Sequence, residues 1–397
     1  MSDVIRYNSR AIFTSTGRFD SDQTSDGSLY QFSRVQDLGI NISHPISDED
    51  YLDSNDESSL NIRPTVDVTL NWLLSNGANE RSAGFVTNGL SGALLNLDTQ
   101  KNIYILTEQD NIDAIGSSTP SSKKSVFGIG NTLMSSYTLS ASIGSFVNAS
   151  ASFIGLNLSS YTGTSTGMVP AVNYTDGSQV DAIFSLPVPS PQKEDTSSNE
   201  ANNVSALHPK DIVLEFQNAN PFGVKIDTIH LQSFEVNFSF ERFDEAGMGT
   251  AFPESRPLLF PVDIEFTTEA LVPSHYVDNL ANNNCLGTGA SMNLIIKRPC
   301  SEFAAFELKL REMKLEGQSF GQSIGAYESV TLQWRGRVTD PFSLSRNVFM
   351  EAFQGELVYS LVNTIPITGY DNNGVQYYAE ESIYERKLNE NTYVFTP

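Results

Sequence analysis

LQSFEVNFS, the stretch Leu231–Ser239, resembles VQDLGINIS, Val35–Ser43, which lies 196 residues earlier (231 − 35). In both stretches apolar and polar residues alternate, and this pattern is typical of a strand with one buried face. Three polar residues also recur at matching places: Gln36 with Gln232, Asn41 with Asn237, and Ser43 with Ser239. The match raises the question of whether the chain contains one β unit twice.

The likeness continues in four further pairs of segments that keep their order along the chain. The first pair, Pro64–Leu70 and Pro261–Phe266, keeps the separation of 196 (263 − 67). The other pairs are Asn102–Leu106 with Asn293–Ile296 at 191 and Ser125–Leu139 with Ser301–Leu315 at 176, each of the latter followed by a Gly/Ser-rich turn and a final strand, Ala151–Gly155 and Leu332–Gly336. The separation changes only where loops would differ. The sequence therefore predicts one β unit that occurs twice, at about residues 28–159 and 211–339.

The fold class follows from the period of the apolar residues. Period-two alternation in short runs rich in Val, Ile, Phe, Thr and Tyr predicts a mainly β protein of two tandem β-sandwich or barrel units. Val66, Val68, Leu70 and Trp72 form one such set, with Asp67 on the other face. Ser274–Asn284 and Ser91–Leu97 are the candidates for short helices.

Three segments fall outside the repeated unit. Residues 1–27 are interpreted as an N-terminal arm and residues 340–397 as a C-terminal extension. Residues 160–210 are interpreted as a linker or exposed loop, because their part 186–209 is poor in large apolar groups and rich in Ser, Asn and Pro.

Charge and composition exclude some classes of function. The 397 residues carry 47 acidic and 24 basic side chains, a net charge of −23, which argues against gripping nucleic-acid phosphates. The start, MSDVIRYNSRAIF, has no basic region followed by an apolar core, and no segment is apolar enough to span a bilayer. We therefore expect no secretory signal and no membrane insertion, and we expect Cys285 and Cys300 to be free thiols.

Three stretches carry a resemblance to a known family. They are PTVDVTLNWLLSNGANERSAGF (Pro64–Phe85), NTLMSSYTLSASIGSFVNASASFIG (Asn131–Gly155), and LQSFEVNFSFERF followed by FPVDIEFTTEALV in the second half. They resemble the major tail proteins, or tail tube proteins, of long-tailed bacteriophages. In that family a β-sandwich unit with one helix forms six-fold rings that stack into a hollow tube. The two units here are similar to a subgroup with two fused units per chain, whose rings contain three subunits with pseudo-six-fold symmetry.

The resemblance implies a virion structural protein, a subunit of the tail tube that conducts DNA during ejection. The implied partners are further copies of the chain, other tail proteins, and double-stranded DNA that passes without specific binding. It implies assembly in the host cytoplasm and a location in the virion tail. The residues themselves contain no motif for a cofactor or a metal, and we expect neither. A tail adaptor or terminator ring on the same fold is an alternative, and an acidic β-sandwich enzyme acting on glycosides is another.

No motif indicates an enzyme. GTSTG, residues 163–167, matches the spacing of a nucleophile elbow, but Val169-Pro170 follows where that motif needs a helix. The four histidines are scattered and have no Ser or Cys partner at a catalytic spacing. We predict no catalytic residues.

Two acidic groups are candidate functional residues. If the polar face of the strands lines a bore, the acids on it would repel DNA phosphates; the alternative is that they solubilise the outer wall. These acids are Asp37, Asp67, Glu235, Glu241, Asp263 and Glu265. The second group lies in DEDYLDSNDE, which lacks the glycine of a calcium loop and, by the resemblance, is the hairpin that reaches an adjacent ring, together with its counterpart Glu241–Arg256. Its members are Asp48, Glu49, Asp50, Asp53, Asp56 and Glu57.

Overall fold

A computed structural model shows that the protein is mainly β, as the alternation predicts. Its one described helix is α1 (Ala78–Ala83). The structure describes residues 9–16, 30–43, 46–50, 57–61, 65–75, 77–108, 125–162, 166–172, 179–185, 212–216, 230–245, 247–248, 253, 255–271, 289–297, 304–321, 329–343, 346–352, 358–370, 376–388 and 391–395.

The described strands number twenty-two. Those before residue 186 are β1 (Ser9–Thr16), β2 (Tyr30–Gln31), β3 (Val35–Ser43), β4 (Ile46–Asp50), β5 (Glu57–Asn61), β6 (Thr65–Leu73), β7 (Lys101–Glu108), β8 (Ser125–Ser142), β9 (Asn148–Gly155), β10 (Asn157–Thr162), β11 (Thr166–Val172) and β12 (Gln179–Ser185). Those after it are β13 (Ile212–Phe216), β14 (His230–Ser239), β15 (Val262–Leu271), β16 (Ala290–Lys297), β17 (Ala304–Gly321), β18 (Ser329–Val338), β19 (Val348–Ala352), β20 (Val358–Tyr370), β21 (Gln376–Leu388) and β22 (Asn391–Phe395).

Fifteen of the described strands form one antiparallel sheet, and the two halves of the chain pair their strands in the same order. In the first half β3, β6, β9 and β8 pair in that order. The long strand β8 also pairs, further along its length, with β10 on one side and β7 on the other, and β7 pairs with β1. In the second half β14, β15, β18 and β17 pair in that order. The long strand β17 also pairs with β19 on one side and β16 on the other, and β16 pairs with β13. The pairing of β8 with β14 joins the halves into a row of eight strands, here called the eight-strand ladder: β3, β6, β9, β8, β14, β15, β18 and β17.

The two long strands, β8 and β17, bend at matching places. Each has 18 residues and passes from one group of partner strands to another. A first shift of register leaves Asn131 and Glu312 with positive φ values of 54° and 52°, at a separation of 181 (312 − 131). A second shift falls at Ser135 and Glu316, again 181 apart (316 − 135). These bulges let one strand change direction between two groups of partners.

Another pair of matching bulges lies at the repeated glutamines. The register of β3 on β6 shifts at Gln36, and that of β14 on β15 shifts at Gln232, so the two shifts are 196 residues apart. For three other pairs of strands the observed pairing gives separations that differ from the predicted 196, 191 and 176. β15 follows β6 at 198, β16 follows β7 at 189, and β17 follows β8 at 181. Strand alternation alone does not set register, because a shift by two residues leaves every side chain on the same face.

The hydrophobic core runs through both halves as one cluster. Val66, Val68, Leu70 and Trp72 are at most 1% exposed, as their alternation predicts. Phe85 packs edge-on against Tyr137 of the first half and Phe238 of the second, with ring centres 4.8 and 6.1 Å apart. The halves therefore share a core, which the sequence did not predict.

Helix α1 begins directly after a glycine. In SNGANE the backbone of Gly77 adopts φ 69°, a left-handed conformation that suits glycine, and α1 starts at the next residue. The helix predicted at Ser91–Leu97 is wrong, since Leu95 and Leu97 donate to Gly92 and Leu94, three residues back, in successive turns. Ser274–Asn284 lies outside the described residues.

Several strands lie in segments that were predicted to flank the two units. β1 falls within the predicted N-terminal arm and pairs with β7. β11 and β12 form a hairpin within the predicted linker, and residues 186–211 lie outside the described part of the chain. β19 pairs with β17, so the second group of paired strands extends past residue 339, whereas β20, β21 and β22 form a sheet of their own.

Candidate functional site

The eight-strand ladder presents two unlike faces. Directly opposed residues of neighbouring strands point to the same face of a sheet. On β6, Val68 is buried in the core, whereas Asp67 lies opposite Asn41 on one side and Ile154 on the other. Asp67 therefore faces away from the core. We call this side the polar face, because Ser, Thr, Asn and charged side chains dominate it.

Five of the six acids predicted to act together share the polar face. Their cross-strand partners assign Asp37, Asp67, Glu235, Asp263 and Glu265 to it. Glu241 lies two residues beyond β14, where its backbone oxygen accepts a hydrogen bond from Leu259 at 2.8 Å, so strand pairing does not set its face. The structure thus brings five acids onto one surface.

Arginines that the sequence analysis missed lie among these acids. Asp263 Oδ2 is 2.8 Å from Arg335 Nη2, and its Oδ1 is 2.9 Å from Arg337 Nε. Arg335 also contacts Glu316 at 3.3 Å. The hydrogen bonds from Arg337 and Arg335 hold the pKa of Asp263 below its usual range. In LQWRGRV the tryptophan is apolar and both arginines lie at odd distances from it. Strand alternation alone therefore predicts that both arginines lie on the polar face.

The polar face is nevertheless acidic overall. Its carboxylates in the eight-strand ladder are Asp37, Asp67, Glu235, Asp263, Glu265, Glu269 and Glu316, and its basic groups are Lys314, Arg335 and Arg337. Three positive minus seven negative charges leave a formal −4 per chain. Only acids come from the first half, so the mixed charge is confined to the second.

The halves of the eight-strand ladder meet where β8 pairs with β14, a contact we call the internal junction. Residues 136–142 of β8 lie antiparallel to residues 233–239 of β14. On the polar face the hydroxyl of Thr138 donates to Asn237 Oδ1 at 2.8 Å. On the core face Tyr137 lies beside Phe238, with ring centres 5.9 Å apart. The repeated residue Asn237 therefore takes part in joining the two halves.

Two buried arginines hold the base of the connection Glu241–Arg256 against the first half. Arg242 donates to Asp98 Oδ1 at 2.9 Å and to the backbone oxygen of Leu97 at 2.8 Å. Arg256 donates to the backbone oxygen of Ile154 at 3.2 Å. Burial lowers the pKa of Arg242. The base of this connection is therefore part of the contact between the halves. The prediction of a role in ring stacking then concerns only the tip of the connection.

The acidic stretch predicted to reach an adjacent ring forms a hairpin. β4 and β5 pair antiparallel, with Asp48 opposite Ser59 and Asp50 opposite Glu57. Glu49 lies between them on β4, whereas Asp53 and Asp56 lie outside the described residues. This hairpin connects β3 to β6, and Glu241–Arg256 connects β14 to β15. Each connection thus joins two neighbouring strands of the eight-strand ladder, and a role in ring stacking stays a prediction.

A carboxyl group that the sequence did not single out lies in the core. Glu80 of α1 is 1% exposed and accepts hydrogen bonds from Trp72 Nε1 at 2.8 Å and the Tyr137 hydroxyl at 3.3 Å. Burial raises the pKa of Glu80, against the opposing effect of these bonds. Since the core encloses all three groups, Glu80 orients two aromatic side chains and is not a site for substrate.

Other candidate chemistry falls at the margins of the described structure. Thr166 and Gly167 of GTSTG begin β11, so no helix follows as a nucleophile elbow requires. Cys285 and Cys300 lie outside the described residues. In the part of the chain that is described, no helix is long and apolar enough to cross a membrane, and no three His, Cys, Asp or Glu side chains are grouped to hold a metal ion.

Comparison with known proteins gives weak structural likenesses. No family model matches the chain, and no curated protein matches it. A chain from the tail of an empty gene transfer agent particle with C6 symmetry is 14% identical and has a TM-score of 0.24, over 34% of this chain and 99% of that one. A chain from the virion of a native gene transfer agent particle is also 14% identical, with a TM-score of 0.23 and the same coverage. Likenesses of this size carry no conclusion about function.

Proposed function

We propose that the chain is a virion structural protein that forms rings of three copies, and that these rings stack into the tube of a phage tail. Each copy supplies two β units, so that six similar units surround the axis. Double-stranded DNA passes through the bore during ejection without specific binding. Assembly in the host cytoplasm and contact with other tail proteins belong to this proposal.

The observation that carries the proposal is the internal junction. Two halves with the same pairing order are joined through β8 and β14, whose counterparts in the opposite halves are β17 and β3. Strands β17 and β3 lie at the two ends of the eight-strand ladder. Within one chain β8 therefore pairs with β14, whereas the matching edges of β17 and β3 do not meet. Repeating the junction between chains continues the ladder, and closure into a ring removes its edges, which would otherwise promote aggregation.

A closed wall of this kind has room for a duplex. Three copies contribute 24 strands (three times eight). At about 4.8 Å between strands, the wall has a circumference of at least roughly 115 Å and a diameter of roughly 37 Å between backbones. The core face is covered by α1 and the outer groups of strands, and such a second layer fits outside the wall. The polar face then lines the bore.

The charge of the polar face supports this orientation. A surface with a formal charge of −4 per chain repels phosphates and offers DNA no pattern of cations to bind. The arginines beside Asp263 are each tied to carboxylates, so they do not form a basic stripe. DNA can therefore slide along this face without a binding minimum.

Native mass spectrometry and electron microscopy of the purified protein test the proposal. We expect rings of three chains that stack into open tubes. Rings that stop at one or two layers would favour a tail adaptor or terminator protein. Rings of six full chains, or a monomer that cleaves glycosides, would contradict the proposal.

A further inference from the structure

We propose that neighbouring copies of this chain dock edge to edge in the register of the internal junction, so that Gly39–Ser43 of one copy lies antiparallel to Gly317–Gly321 of the next. In this register Ile40 faces Phe320 and Asn41 faces Ser319. The inference rests on the proposed ring assembly and adds the residues that meet at each contact between copies.

The two edges have no strand partner among the residues that the structure describes. β3 pairs with β6 alone, and residues 314–321 of β17 pair with β18 alone. Apolar side chains on the core face of these edges are partly exposed: Ile40 by 37%, Ile42 by 44% and Phe320 by 39%. An edge with unpaired backbone groups and apolar side chains is a template for another strand.

The register follows from the matched bulges. β14 corresponds to β3 at a separation of 196, and β17 corresponds to β8 at 181. At the internal junction Val236 lies opposite Leu139. Their counterparts are Ile40 (236 − 196) and Phe320 (139 + 181). The same arithmetic turns the pair Asn237 and Thr138 into Asn41 (237 − 196) and Ser319 (138 + 181).

Two translated pairs match chemically, one on each face, whereas Ile42 meets Gln318 in this register (238 − 196 and 137 + 181). On the core face two apolar side chains meet, Ile40 and Phe320. On the polar face the hydroxyl of Ser319 donates to Asn41 Oδ1, as Thr138 donates to Asn237 at 2.8 Å inside the chain. Val236 and Leu139 are 0% exposed at the internal junction, so the partial exposure of their counterparts is what the lack of a partner strand leaves.

Disulfide cross-linking tests this register in the full chain. Cys285→Ser and Cys300→Ser give a background in which any new disulfide comes from introduced cysteines, and its assembly is checked first. Asn41→Cys with Ser319→Cys should give covalent dimers and trimers on a non-reducing gel. Ser43→Cys with Ser319→Cys is the matched control, shifted by two residues on the same face, where the Cα atoms are too far apart for a disulfide. Thr138→Cys with Asn237→Cys should cross-link within one chain and calibrates the reaction.

The outcomes separate this inference from the proposed function. Tubes together with cross-links at 41/319 and few at 43/319 support both. Tubes in which 43/319 cross-links as well as 41/319, or in which 41/319 fails while 138/237 succeeds, overturn the register and leave the ring assembly standing. A closed dimer linked at 41/319 supports the edge contact and contradicts the tube. A protein that stays monomeric without any link between chains overturns both.

Discussion

Ile40→Lys should abolish assembly and leave the single chain folded. Ile40 lies at the edge of the eight-strand ladder, where 37% of the residue is exposed, whereas Val236 at the matching place in the second half is 0% exposed. If a second copy covers Ile40, an ammonium group at this position is trapped between two apolar surfaces. Edge strands of natural proteins use inward-pointing charges to prevent such pairing.

The size of the effect can be estimated from the exposed fraction. Full burial of an isoleucine stabilises by about 1.5–3 kcal/mol, so covering the remaining 37% contributes about 0.6–1.1 kcal/mol per contact between copies. A buried charge without a partner costs about 3–5 kcal/mol. Since about 1.4 kcal/mol is a tenfold change, the dissociation constant of each contact should rise by about two to four orders of magnitude. The free energy of unfolding of a single chain should fall by only about 1–2 kcal/mol, because Ile40 is already partly exposed.

Sedimentation velocity measures the assembly, and urea unfolding of the dissociated protein measures the stability. Gln36→Lys is the matched control, because it adds the same charge to the same strand at an exposed residue outside the proposed contact and should leave rings intact. Val236→Lys should unfold the chain, since it places the charge in the internal junction. Assembly of Ile40→Lys at the wild-type concentration would refute the edge contact. An equal loss in Gln36→Lys would mean that added charge, and not its position, prevents assembly.

Three further predictions concern the core, the hairpin and the polar face. Because burial raises the pKa of Glu80, wild-type stability should fall as pH rises from about 4.5, by at most about 1.4 kcal/mol per pH unit, until the folded-state pKa is passed. Glu80→Gln keeps an acceptor for Trp72 and should remove this fall in urea titrations at a series of pH values; an unchanged pH profile would contradict the assignment. Deleting residues 51–56 from the hairpin should leave single rings that no longer stack, and normal tubes in electron micrographs would refute a stacking role. Asp67→Lys should leave tubes intact and slow DNA ejection more at low salt than at high salt, whereas ejection at the wild-type rate at low salt would place this residue outside the bore.

The amino-acid sequence determined the strands and their buried faces. The alternation of Val66, Val68, Leu70 and Trp72 assigned one face to the core because side chains of a strand point alternately to opposite sides. The repeated glutamines at 36 and 232 marked a real structural position, since both lie at a register shift of the backbone. Local patterns of this kind depend only on neighbouring residues, so they are visible without a structure.

The register between strands was decided by the tertiary structure. The separations of 196 and 191 predicted for β6 with β15 and β7 with β16 become 198 and 189, which are even shifts and keep each side chain on its face. For β8 and β17 the predicted 176 becomes 181, an odd shift that exchanges the faces. The bulges at Asn131 and Glu312 lie at the corrected separation of 181, and a bulge is recognised only from the partner strand.

Long-range contacts were likewise decided only in the folded chain. The acids at 67 and 263 look alike in sequence, but two arginines from β18 reach Asp263. Arg242 and Asp98 are 144 residues apart, and nothing in the residues around either one predicts their ion pair. The partly exposed Ile40 and the buried Val236 occupy matching places in two similar strands, and they differ because β8 covers one and no described strand covers the other. Whether a strand is internal or at an edge depends on the whole sheet, so a strand's own sequence cannot determine it.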